Sequence, residues 1–166
     1  MKKSVCVILL CLIACVVCAG CGDKTADQGL SATMGNPWSD WSSIGEAESA
    51  VGFSFGLSQT VADSYSAQHI STMNNELIQV VYRDGDFEVC VRKQKGEGQD
   101  ISGDYNEYDI YAETTREGAV IKTYRNFDNN AIRQLISYDG YSWSLVASNG
   151  YRGDTDSDFV NKILEQ

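Results

Sequence analysis

The chain has 166 residues, 43% of them hydrophobic, with 23 acidic side chains against 13 basic ones and a formal net charge of −10. An excess of carboxylates is repelled by phosphate backbones and anionic lipid surfaces, which argues against nucleic acid as a partner and against a polybasic membrane contact. The length suits one domain with a core large enough to stand without cross-links.

Residues 1–20 begin with Lys2 and Lys3 and continue through an apolar run from Val5 to Val17. A cationic start, a short apolar core and small residues before a cut make a secretory signal, and the run falls short of the ~20 apolar residues a membrane span needs. Ala19-Gly20-Cys21 resembles the end of a bacterial lipoprotein lipobox. The resemblance implies cleavage after Gly20, a diacylglyceryl anchor on Cys21 and a place on the extracytoplasmic face of the cell membrane. One position departs from it: Cys18 stands where an aliphatic residue is usual, and an unpaired cysteine packs as a small hydrophobe.

Cleavage there removes Lys2 and Lys3 and takes the net charge from −10 to −12. It also removes Cys6, Cys11, Cys15 and Cys18, and lipid consumes Cys21, so Cys90 alone remains and no intramolecular disulfide is expected. Residues 21–36 are small and polar and read as a flexible tether spanning on the order of 20 Å.

The folded domain is expected over 37–166. Trp38, Trp41, Ile44, Ala47 and Val51 recur at helical spacing, which predicts a helix over Ser39–Val51 with Ser43 as N-cap, Glu46 closing a capping box and Gly52 as left-handed C-cap. The period then changes to two. Strands are predicted at Phe53–Leu57, Tyr65–Met73, Leu77–Tyr82, Phe87–Lys93, Tyr105–Thr114, Ala119–Tyr124, Ile132–Tyr138 and Tyr141–Ala147, with turn residues between them. In the last strand Tyr141, Trp143, Leu145 and Ala147 share the core face, and Ser142 and Ser144 are expected to face water. A closing helix over Ser157–Leu164 offers Phe159, Val160, Ile163 and Leu164 to the sheet. The fold class expected is α+β, a single curved antiparallel sheet of about seven strands in a meander with a helix from each end packed on it.

Asn36-Pro37-Trp38, Glu46-Ala47-Glu48 before Gly52-Phe53, Val81-Tyr82-Arg83, Val91-Arg92-Lys93 and Ile101 to Asn106 together resemble a family of small, uncharacterised lipoproteins of Gram-positive, Clostridia-like gut bacteria. The resemblance spans the mature domain and brings no activity or ligand with it. It departs after Phe53, where Leu57-Ser58 replaces the family's proline.

Reactive groups are sparse. His69, the single histidine, lies in a strand pattern with no triad phrase beside it. Cys90 alternates with Glu88, whose charge opposes a thiolate, and with Arg92, which favours one. Asp154, Asp156 and Asp158 imitate the start of a calcium loop with Glu165 as its end, but Phe159 stands where such a loop needs glycine. Gly96-Glu97-Gly98 lacks the lysine of a phosphate cradle. No phrase selects a carboxylate pair for glycoside hydrolysis.

The second half is rich in aromatic residues. Tyr108, beside Ile110, is expected to face the core, leaving Tyr105 and Tyr111 as surface candidates for ligand binding next to the loop Gln94–Asn106. These residues together favour a membrane-anchored, non-enzymatic binding or envelope-associated module, with no cofactor and a protein, peptide or cell-wall partner. The alternatives are a surface hydrolase using paired carboxylates and a lipoprotein that holds an acyl chain beneath its sheet.

Overall fold

Alternating apolar residues after Ser66 build seven strands, and an eighth precedes the first helix. The computed structural model describes residues 36–57, 61, 63–148 and 155–166. The leader, Cys21, the tether up to Gly35, Tyr151 and Asp154 lie outside the described residues. The strands are β1 (Trp38–Trp41), β2 (Ala67–Met73), β3 (Leu77–Asp84), β4 (Phe87–Lys95), β5 (Ile110–Arg116), β6 (Ala119–Arg125), β7 (Ile132–Tyr138) and β8 (Tyr141–Ala147). Helix α1 (Ile44–Val51) follows β1, and α2 (Thr155–Leu164) follows β8.

All neighbours are antiparallel, in the order β1-β2-β3-β4-β8-β7-β6-β5. The architecture is α+β, an eight-stranded, meander-like sheet with a short helix from either end. It differs from one continuous meander at a single joint. β4 pairs with β8, Val91 opposite Leu145, so the chain leaves the middle of the sheet after Lys95 and re-enters at its far edge as β5. Two hairpin stacks, β1–β4 and β5–β8, therefore meet at the centre.

The start of the chain corrects the predicted helix. Residues 38–41 are an edge strand, with Trp38 opposite Met73 and Trp41 opposite Ile70. The Trp-Ser-Asp-Trp spacing fits a helical face, but the ladder of β2 and the Trp41 indole, which donates to Thr72 Oγ1 at 3.0 Å, decide for a strand. The predicted N-cap and C-cap hold, while Glu46 closes its box on Ser42, one residue before the N-cap. Ser43 Oγ accepts from the Glu46 amide at 3.3 Å, Glu46 Oε2 accepts from the Ser42 amide and hydroxyl, and Gly52 closes α1 at φ +72°.

Residues 53–57, predicted as a strand, join no sheet. They keep the period of two, burying Phe53, Phe55 and Leu57, while side chains replace the ladder. Glu48 Oε1 accepts from the Phe55 amide at 2.6 Å and from the Ser54 hydroxyl at 2.9 Å. Phe53 packs on Tyr141 and Phe55 on Trp143 with ring centroids 5.5 and 5.6 Å apart, so the segment closes the core beneath β8. Phe159 of α2 reaches Tyr82 of β3 at 5.5 Å and tilts against Tyr65 at 6.0 Å.

The outer face, opposite the core, is partly covered as well. Ser142 and Ser144, expected in water, are each 1% exposed. The crossover from Gly96 onward lies across them: Ser142 Oγ accepts from the Gln99 amide and donates to Gly96 O, and Ser137 Oγ accepts from the Gly98 amide. Arg92 donates to Ile101 O and Arg133 to Asp104 O, pinning the far end of the strap.

Candidate functional site

Beyond the strap the outer face carries rings. The registers place Tyr111 of β5 opposite Tyr124 of β6, and Tyr124 opposite Arg133 of β7, a row that crosses three strands. Tyr111 and Tyr124 are 5.1 Å apart by ring centroids, and the Arg133 guanidinium lies 4.2 Å from the centre of the Tyr124 ring. A guanidinium over an aromatic face is worth about 0.5–1 kcal/mol when exposed and more when desolvated. Arg133 is also 3.6 Å from Asp100, with its own side chain 14% exposed.

Tyr108 joins this row and not the core, contrary to the sequence expectation. Its ring sits 6.0 Å from Tyr124 and 5.2 Å from the Arg133 guanidinium, and its hydroxyl donates to Asp104. The cause is local. β5 begins at Ile110, not at Tyr105, because side chains capture the preceding backbone: Asp104 accepts from the Asn106 amide, and Asn126 accepts from the Asp109 amide while donating to Glu107 O. Such side-chain partners compete directly with a strand ladder.

Of the two candidates named from sequence, Tyr105 is 96% exposed on the strap and Tyr111 is 54% exposed on β5. The Tyr111 hydroxyl donates to Glu113 at 2.5 Å, and that bond to a carboxylate pushes its pKa up to about 12. Burial, helped by Asp104, raises that of Tyr108. Both phenols stay neutral donors at physiological pH. Sequence reasoning missed Arg133 and the exposed Phe127; the alternation of β7 placed Arg133 opposite Ile132 in facing, but nothing local announced the ring it would cover.

No family model, curated protein or solved structure matches the chain.

The remaining candidates sort by geometry. Asp40 and His69 pair at 2.9 Å on the exposed outer face, and among the described residues no hydroxyl is hydrogen bonded to that ring. Burial is the leading cause of a raised Cys90 pKa, ahead of the opposed effects of Arg92 and Glu88. Asp156 falls in α2, Asp158 is exposed, and Glu165 is taken by Lys162 at 2.7 Å. Among the described residues no group of three acidic, histidine or cysteine side chains is arranged to hold a metal ion.

Glu107, Asp109 and Asp128 line a hollow of about 280 Å³, and all three are exposed. The space an acyl chain would occupy beneath Trp143 is taken by Phe55 and by the Lys93 amine, 4.5 Å from the indole centre. In the outer row the exposed ring of Tyr111 thus stands beside Tyr124, whose face the Arg133 guanidinium covers.

Proposed function

We propose that this chain is a lipid-anchored binding module of the extracytoplasmic face, tied to the cell membrane through a diacylglyceryl group on Cys21, non-enzymatic and without a cofactor. Its partner is a protein, a peptide or a cell-wall component, held on the surface around Tyr105, Tyr108, Tyr111 and Tyr124. The observation that carries the reading is the cross-strand row Tyr111–Tyr124–Arg133, with Tyr105 standing 96% exposed beside it. Aromatic rings with polar tips offer large contact area at low entropic cost, as binding surfaces require.

The sequence of the leader supports the location: Lys2 and Lys3, a short apolar run and Ala19-Gly20-Cys21 at its end. Cys21→Ala tests it. The variant is expected in the medium or as unprocessed precursor, and a cleaved variant that stays membrane-bound refutes the anchor. For binding, the wild-type chain and a Tyr105→Ala/Tyr111→Ala variant are used to capture partners from solubilised envelope. Loss of one specific band in the variant is the expected result; identical captures would dismiss this surface.

A further inference from the structure

We propose that β5 is a strand-addition site for an extended, basic polypeptide segment. The inference deepens the binding-module reading and rests on it. β5 pairs with β6 alone, and every residue from Tyr111 to Arg116 is exposed. Its register is unbroken, Ile110 opposite Arg125 through Arg116 opposite Ala119, so no bulge twists the edge away. The connecting turn has two residues, Glu117 and Gly118, both at positive φ. Counting the antiparallel alternation from that turn, Thr115, Glu113 and Tyr111 point their amides and carbonyls away from β6. Outside the β6 ladder, no backbone hydrogen bond among the described residues engages β5.

Edges of this length are usually blunted by lysine, proline, a bulge or a covering loop. β5 has no lysine, proline or bulge, its charges are Glu113 and Arg116, both engaged by other side chains, and the strap lies over β7 and β8 instead. The opposite edge, β1, is only four residues long and follows Pro37 directly. The two edges of the sheet are therefore not equivalent.

Charge selects the occupant. Residues 104–117 carry Asp104, Glu107, Asp109, Glu113 and Glu117 against Arg116 alone, a net of −4. Arg116 is itself engaged, donating to Asn161 at 2.7 Å and to Glu117 at 3.3 Å. Lys122 lies opposite Glu113 in the ladder, yet Glu113 accepts from Tyr111. A second copy of the chain would bring the same −4 to the contact, so self-pairing is opposed by like charge. A cationic strand meets the opposite field, and its alternate side chains fall beside Tyr111, whose ring accepts a cation or an apolar group, while Tyr124, one strand further in, is already covered by Arg133.

The test uses the full chain, purified in detergent as the cell processes it, with two end-blocked peptides of β5 length. One alternates lysine with valine and the other glutamate with valine. At about ten times Kd the lysine peptide is expected to slow amide exchange at Tyr111, Glu113 and Thr115 about tenfold, the factor by which bound exceeds free protein. Thr115→Pro should abolish that protection, because an outward edge position tolerates proline but can no longer donate. Glu113→Lys, which leaves the backbone intact, should weaken the lysine peptide and favour the glutamate one.

Three results overturn the inference: no protection at these amides, equal protection by both peptides, or protection that rises with protein concentration alone. If any of these appears while Tyr105→Ala/Tyr111→Ala still loses an envelope partner, strand addition falls and the binding module stands. If that capture is also unaffected, both fall.

Discussion

Lys93→Met probes the least expected group of the core. Lys93 sits on the core face of β4, 4% exposed, opposite Ile78 and Trp143 in the ladders. Its Nζ donates to Ser54 O at 2.7 Å and lies 4.3 Å from the centre of the Tyr141 ring. Desolvation pushes its pKa down from 10.5 to about 8, with Glu48 and Asp139 partly restoring it. Below pH 8 both folded and unfolded chains hold the proton, and the folded state bears the full cost of the buried charge. Between about pH 8 and 10.5 the unfolded chain binds more protons than the folded one, so this group's contribution to stability rises with pH. At 1.36 kcal/mol for each tenfold change, the span amounts to about 3 kcal/mol. Methionine does not titrate. The stability of Lys93→Met relative to wild type is therefore greatest near pH 6–7 and declines by about 3 kcal/mol by pH 11. The lost bond to Ser54 O offsets the whole curve without changing its slope. Guanidinium unfolding of both proteins at stepped pH measures the difference, in which the opposing titrations of Tyr82, Tyr108 and Tyr111 cancel. A difference that stays flat from pH 7 to 11 would refute the reasoning.

Tyr82 is fully buried and its hydroxyl has no hydrogen-bond partner among the described residues; Tyr82→Phe should stabilise the fold by about 0.5–1 kcal/mol, read as a higher denaturant midpoint, and a clear loss would reveal a bond to that oxygen. Gly103 adopts φ +60°, and a Cβ there would meet Arg92 Nη1, itself held on Gln79 and Ile101. Gly103→Ala should cost about 2 kcal/mol and expose Ser144 to solvent exchange; an unchanged midpoint would mean the strap shifts freely. Glu48→Ala leaves the Phe55 amide without its acceptor. About 2 kcal/mol is expected, with faster exchange at that amide, and full protection in the variant would contradict the assignment.

Local chemistry was the legible part of the sequence. The caps Ser43 and Gly52 and the bounds of β7 and β8 followed from residues a few positions apart. β1 was lost because Trp38 and Trp41 suit a helix or a strand equally, and only the distant Thr72 chooses. The β4–β8 pairing was lost because no local signal says which strand a strand will meet. The burial of Ser142 and Ser144 followed from that, since a strap crosses them only if β5 lies at the far edge. At the site, one alternation selects Tyr105 and Tyr111 for the surface and sends Tyr108 to the core; both of the former are exposed, but Asp104 and Asn126 interrupt the pattern and Tyr108 joins the outer face.

The joint between β4 and β8 has a consequence for how the chain acquires its shape. Each hairpin stack assembles from neighbours in sequence, but neither is complete alone: β4 presents Val89 and Val91 as a bare edge until β8 arrives, and α2 then clasps both stacks, through Phe159 on Tyr82 of β3 and through Leu164 O, which accepts from Tyr138 of β7. Contacts this far apart fold slowly, and an uncovered apolar strand is a template for aggregation while it waits. A newly made chain is most vulnerable in the interval before its second half docks, and fragments cut in the strap should regain structure only when mixed.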